Sequence, residues 1–333
     1  MSTWQVGIDE PRPFELLSPR SIEEAMELAA RHGRDAALLA GGCDLVDQLK
    51  HQWNAPHYLI NLKSISGLRN INVTSDHVQV GATSTLGEME RHAQLGRTLP
   101  GLVKAVSRVA TLQIRNAGTL GGNLLQDSRC PYYRGPWYCY RAGGIQCDAH
   151  HGMNQEHAIF GGDRCYTVTP SDTAPVLVAL GAEARVASPR GERTLPLSDL
   201  FVPPAENILV MHRLAPGDIL TGVSIPIVPA QRSTFIKYAM RNAWDFALAS
   251  VAVVFESDGG KVRNARVILG GVAAVPWRSH DAEQEIEGKP LTDSNIESAA
   301  RAAMLPARPL QQNAYKVALV RKLVRNALKE LAS

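Results

Sequence analysis

Apolar residues recur at every third or fourth position in some stretches of this 333-residue chain and at every second position in others, and the two periods take turns along it. The first helical stretch opens at Ser21-Ile22-Glu23-Glu24, a capping box in which Ser21 caps and Glu24 reaches back. Its spacing predicts a helix to about His32, stopped by Gly33. Ala36 to Ala40 reads as a short buried strand, which Gly41-Gly42-Cys43-Asp44 turns into a helix over about Leu45 to His51, and Tyr58-Leu59-Ile60-Asn61 reads as the next strand. A strand at His77 to Gly81, a helix beginning near Thr85 and an apolar helix at Leu102 to Val109 follow. Farther on, Ala174 to Leu180 is an apolar helix, and Glu183 to Val186 with Glu192 to Leu195 alternate like a hairpin around Ser188-Pro189-Arg190-Gly191. Ile219 to Ile225 is another strand. From Phe235 the strands lengthen, with Asp258-Gly259-Gly260 marking a turn between Val251–Phe255 and Val262–Leu269. Two helices close the chain, one from about Ser294 and a long one from about Asn313 to Leu331.

This order of elements predicts an α+β fold with a boundary near Pro226 to Arg232. The expected units are a small α/β lobe over 1–70, a larger lobe over 71–228 and a C-terminal domain with antiparallel strands and terminal helices over 229–333. One segment, about 127–166, carries no sustained period. Its aromatic, Gly and Pro residues offer no ready core, so something else must order it, and a bound metal cluster is one candidate.

Composition excludes several functions. Hydrophobic residues at 45% and charged residues at 20% are ordinary for a globular protein, and a formal charge of +3 without a basic, aromatic-interleaved run argues against nucleic acid. No apolar run is long enough to span a membrane, and Met1 to Pro13 lacks a basic start followed by an apolar stretch. The expected location is the cytoplasm, or the periplasm if a partner exports the chain.

Four of the five cysteines, Cys130, Cys139, Cys147 and Cys165, fall in the aperiodic segment, spaced C-x8-C, C-x7-C and C-x17-C. Clustered cysteines in a chain of this size point to metal ligation rather than a disulfide framework. Four thiolates suit an iron–sulfur cluster, and none of the gaps is the C-x2-C of a zinc knuckle. Spacing alone leaves a cluster, zinc and unligated thiols open. His150, His151 and His157 lie in the same stretch, but four thiols already complete a tetrahedral set.

Two glycine-rich turns precede this segment in the chain. Leu39-Ala40-Gly41-Gly42-Cys43-Asp44-Leu45 is strand, Gly-Gly, helix, a pattern that lets backbone and helix N-terminus approach a phosphate; Gly118-Thr119-Leu120-Gly121-Gly122-Asn123 is a second example. Asp172, in Pro170-Ser171-Asp172, is placed either to accept from a ribose or ribityl hydroxyl or to cap the following helix. No G-x-G-x-x-G follows a strand, so a Rossmann site is not expected.

With Ala40-Gly41-Gly42, Thr119-Leu120-Gly121-Gly122-Asn123, Pro170-Ser171-Asp172 and Asp245-Phe246-Ala247 in this order, the chain over about 12–330 resembles the FAD-binding medium subunits of the xanthine dehydrogenase family, the molybdenum hydroxylases. The resemblance implies a two-lobed FAD domain of the vanillyl-alcohol-oxidase (PCMH) type. Most members lack the cysteines. The insertion from Asp127 to Cys165 is similar to the variant of bacterial aldehyde oxidoreductases and 4-hydroxybenzoyl-CoA reductase, in which four cysteines hold a [4Fe–4S] cluster.

On this resemblance Gly41, Gly42, Cys43 and Asp44, between Ala40 and Leu45, offer backbone amides to the FAD pyrophosphate, as do Gly121, Gly122 and Asn123. Thr119 lies near the flavin, Asp172 near the adenosine ribose, and Lys237 near the isoalloxazine edge or else on a solvated strand face. Cys43 stands where relatives carry Thr, His or Asn, and is left out of the metal ligands. Tyr132, Tyr133, Trp137 and Tyr140 either pack or stack on a cofactor. The implied function is electron transfer in a heterotrimer: a molybdopterin subunit oxidises substrate, a [2Fe–2S] subunit relays, and FAD here serves an external acceptor. The competing readings are a self-sufficient FAD oxidase and a zinc-stapled scaffold.

Overall fold

The computed structural model of the chain describes residues 11–332; the expectation resting on the first ten residues lies outside them. Three sheets follow one another. The first is parallel, with Tyr58–Asn61 between Glu15–Leu17 and Ala36–Leu39. The second is antiparallel, in the order Ile71–Val73, His77–Gly81, Ile219–Pro226, Glu183–Ser188, Gly191–Pro196. The third, also antiparallel, runs Trp277–Arg278, Lys261–Gly270, Ala249–Asp258, Gln231–Tyr238. The expected mixed helix and sheet fold with antiparallel C-terminal strands is therefore observed. No described helix is long and apolar enough to cross a membrane.

The third sheet explains its own sequence. Alternate residues of Ala249–Asp258 enter different cores: Ala252 and Val254 face the helices of the middle lobe, while Val251, Val253 and Phe255 face the C-terminal helices. Both faces are covered, so the strand reads as a nearly continuous apolar run. Its hairpin closes through Gly259 and Gly260, both at positive φ, as the sequence predicts. The short helix His280–Ile286 had no sequence signal, because only Ala282, Glu283 and Ile286 of its seven residues are buried.

The cysteine segment holds only two isolated turns of 3-10 helix, Tyr140–Ala142 and Asp148–His150. It is ordered by polar side chains that reach it from the C-terminal domain. Asn313 Nδ2 donates to the carbonyls of His157 (3.1 Å) and Ala158 (3.2 Å), and the Gln312 amide donates to Asn154 Oδ1 (2.9 Å). Lys316, in the helix Tyr315–Ala332, is wholly buried and donates to the Glu156 and Gly271 carbonyls at 2.7 and 2.9 Å. Ile159 and Phe160 then enter the C-terminal core.

Burial pushes the Lys316 ammonium down to about 7. The unfolded chain keeps that proton to the ordinary lysine range, so above neutrality the unfolded state binds more protons and stability rises with pH. Denaturant titrations between about pH 7 and about pH 8.5 should show this rise in the parent protein and a flatter profile in Lys316→Met. Equal slopes would remove Lys316 as its source.

Candidate functional site

A cleft of about 790 Å³ runs between the first two sheets and the edge of the third, a size suited to a large organic cofactor. Both glycine-rich turns line it, but they play different parts. In the first, Gly42 takes φ +73° and the helix Leu45–Lys50 begins immediately after. Among the described residues, the amides of Gly42, Cys43, Asp44 and Leu45 donate to no protein acceptor. These are the free donors of a helix start, facing an anion's natural position. A Cβ at Gly41 would overlap the Ala117 carbonyl oxygen, so the glycine lets the two turns touch.

The second turn is already satisfied. Leu120 N donates to Ser84 O (2.9 Å), Gly121 N to Ala82 O (2.8 Å), Gly122 N to the Thr119 hydroxyl (3.1 Å) and Asn123 N to Thr119 O (2.8 Å). The expectation of free amides at Gly121, Gly122 and Asn123 is not met. Thr119 spends its hydroxyl as the N-cap of Leu120–Leu125. Gly121 allows close packing instead: an added Cβ would stand 3.0 Å from Ala82. Asn123 Oδ1 accepts from the Ser171 and Thr173 hydroxyls at 2.8 and 2.7 Å, tying this turn to Pro170-Ser171-Asp172.

Asp172 and Lys237 meet. Lys237 Nζ donates to Asp172 Oδ2 at 2.6 Å and to the carbonyls of Arg108 (3.1 Å) and Asp245 (2.9 Å), with the two side chains 3% and 6% exposed. Lys237 is therefore not a solvated strand charge. Nor can the pair serve opposite ends of an extended dinucleotide, as the sequence suggested. Burial pushes the Asp172 carboxyl up, and the Lys237 charge opposes that rise. Capping of the helix Thr173–Ala179 falls to Ser171, whose hydroxyl accepts from the Ala174 amide at 3.1 Å. Beside the pair, Trp244 and Phe246 line the cleft, about half exposed; Trp244 holds φ +59° and donates its amide to Ala110, itself at φ +41°. Two strained non-glycine residues thus abut in the cleft wall.

The cysteine segment forms another wall. Asp127 and Arg129 line the cleft, while Ser128 and Cys130 line a small cavity behind it, together with Cys139, Cys147, Cys165 and His157. Alternate residues of one extended stretch thus serve the two spaces. Its position is fixed by Asp44, whose carboxylate accepts from Arg134 (2.6 Å), the Asp127 amide (2.8 Å) and Gln48 (3.1 Å) and pairs with Arg129 (3.1 Å). Arg134, nearly buried, also donates to Asp47 (3.1 Å) and the Ser128 carbonyl (2.6 Å).

Burial pushes the Cys130 thiol up to about 12 and raises Cys147 and Cys165; neighbouring thiolate charge adds to each, from Cys139 on Cys130 and Cys147 and from Cys147 ahead of Cys139 on Cys165. A bound cation would favour the thiolate form of Cys130, Cys147 and Cys165 against this burial. Among the described residues no three His, Cys, Asp or Glu side chains are arranged to hold a single metal ion. Cys43 stands apart from the four thiols, in the open cleft. Tyr132 and Tyr133 line the thiol cavity rather than the cleft. His157, set aside in the sequence, lies with its Nε2 3.3 Å from Cys130 Sγ, whereas His150 and His151 are exposed. The cleft aromatics were legible only through the motif Asp245-Phe246-Ala247.

Residues 12–228 match the family described as the FAD binding domain in molybdopterin dehydrogenase, and residues 234–331 the CO dehydrogenase flavoprotein C-terminal domain. The chain belongs to the molybdenum hydroxylase flavoproteins. This flavoprotein is 30% identical to the aldehyde oxidoreductase FAD-binding subunit PaoB of Escherichia coli, over 91% of the chain and 93% of that protein. It is 27% identical to the carbon monoxide dehydrogenase medium chain of Hydrogenophaga pseudoflava, over 96% of each. A solved carbon monoxide dehydrogenase from Hydrogenophaga pseudoflava superposes with a TM-score of 0.76 at 26% identity, covering 97% of this chain and 98% of that one.

The flavoprotein's buried pair yields a stability test. Lys237→Met leaves the Asp172 carboxylate without its counter-charge and should cost about 3–5 kcal/mol in denaturant unfolding. Adding Asp172→Asn should recover most of that loss; a double variant as unstable as the single would show that lysine packing, not charge, carries the effect.

Proposed function

We propose that this flavoprotein relays electrons in a heteromeric molybdenum hydroxylase, with FAD in the cleft and a [4Fe–4S] cluster among Cys130, Cys139, Cys147 and Cys165. One observation carries it: the stretch from Asp127 to Cys130 lines the cleft with alternate residues and the thiol cavity with the others, so a single backbone segment separates the two spaces. The four thiols share one cavity, and four thiolates supply the ligand set of a cluster.

The residues fit FAD. The free amides of Gly42, Cys43 and Asp44, between Ala40 and Leu45, take the pyrophosphate, with Gly41 bringing the second turn close. Thr119, Gly121, Gly122 and Asn123 shape the facing wall. Asp172 and Lys237 orient each other beneath Trp244 and Phe246, which offer flat apolar surface to a ring. FAD, when bound, supplies the exchange between one-electron and two-electron carriers.

Several relatives are named as single subunits or chains of larger enzymes, among them the nicotine 6-hydroxylase medium subunit. By analogy the partners here are a molybdopterin large subunit and a [2Fe–2S] small subunit, with an external acceptor served at the flavin and the assembly in the cytoplasm or wherever a partner is exported. The three sheets support a division into 1–70, 71–228 and 229–333.

Anaerobically purified chain should contain about four irons and four sulfides per FAD, and aldehydes or alcohols should not reduce it without its partners. Zinc without flavin, or reduction of the lone chain by such a substrate, would overturn the proposal. Cys147→Ser should remove the iron and keep the FAD. Gly41→Ala should weaken FAD retention by roughly tenfold or more, whereas Gly96→Ala, which meets nothing within 4 Å, should not.

A further inference from the structure

Among the polar side chains that line the thiol cavity, His157 is the one that the structure places within hydrogen-bond reach of a thiol. His157 is 6% exposed, lines the cavity, and brings Nε2 to 3.3 Å from Cys130 Sγ. Its other ring nitrogen, Nδ1, is buried and meets no partner. Of the two nitrogens only Nε2 has a neighbour, and a ligating thiolate is an acceptor. A ring that faces a thiolate through Nε2 alone carries a proton on that nitrogen.

The ring's position is imposed from outside the segment. Asn313 holds the His157 and Ala158 carbonyls, Lys316 holds the Glu156 carbonyl, and the Ala158 amide is bonded to Tyr166 O at 2.8 Å. The backbone on both sides of His157 is thus pinned by the helix Tyr315–Ala332 and the turn before it. Four thiolates already complete a cluster's ligand set, so a donor fixed against one sulfur has no ligating work left to do.

We propose that His157 donates its Nε2–H to the Cys130 sulfur and thereby raises the reduction potential of the centre those thiolates hold. The proposal rests on the cluster reading above. A hydrogen bond to a ligand sulfur draws off charge and favours the electron-richer reduced state. Asn313 and Lys316 act as positioning residues for the ring.

The test is a potentiometric titration followed by electron paramagnetic resonance, on the full chain with FAD and iron bound. In His157→Leu, with iron content unchanged, the reduced-to-oxidised ratio at a fixed potential should fall roughly tenfold, about 59 mV for a one-electron couple. His157→Gln, whose amide retains an N–H donor, should recover part of the shift. Unchanged potential in an iron-loaded His157→Leu protein overturns this role alone, and loss of iron from that variant overturns it in favour of ligation or scaffolding. Parent protein without iron and sulfide overturns the cluster reading and this role together. A measurement on the unaltered protein needs no variant to fold: with ¹⁵N-labelled histidine, pulsed resonance should detect one weakly coupled nitrogen. A strong coupling, marking direct ligation, or none at all would each refute the proposal.

Discussion

Asp44 joins two chemistries that the chain keeps far apart in sequence. Its backbone belongs to the glycine turn with the free amides, while its carboxylate grips Arg129, Arg134 and the Asp127 amide at the mouth of the cysteine segment. Such a grip is strong because Arg134 is nearly buried and its remaining donors are met by Asp47 and the Ser128 carbonyl, leaving no unpaired charge to penalise. The wall between cleft and cavity exists because that carboxylate holds it. Without the carboxylate, Arg134 would keep only Asp47 as its ion-pair partner in the helix that follows the glycine turn.

The cysteine segment also shows how a stretch without a core of its own becomes ordered. It satisfies its carbonyls with side chains from elsewhere: Asn313 and Lys316 from the C-terminal domain, Arg134 and Asn154 from within. Apolar anchoring comes only at its end, through Ile159 and Phe160. A polar scaffold of this kind suits a cavity lined with thiols, since it fixes directions where apolar contact would fix only proximity.

What the sequence disclosed follows from range. The cap at Ser21, the helix start near Thr85, the two-glycine hairpin and the long apolar strand all depend on neighbours a few residues away, and each was legible. The glycine turns were legible as a pair, but not their division of labour, because only the fold shows that Ala82 and Ser84 take the amides of Gly121 and Leu120. Asp172 and Lys237 each looked like an independent contact to a cofactor. They are partners across two lobes, which no local pattern encodes. His157 was hidden for the same reason: its ring is set by a helix that begins near residue 313.

That last dependence has a bearing on biogenesis. His157 and Asn313 are 156 residues apart in the chain, so a ribosome releases the thiols well before it releases the side chains that fix their surroundings. Until then the His157 and Ala158 carbonyls lack the Asn313 amide that holds them in the folded chain. The polar groups that fix the surroundings of the thiols are therefore complete only when the last helix of the chain has been made.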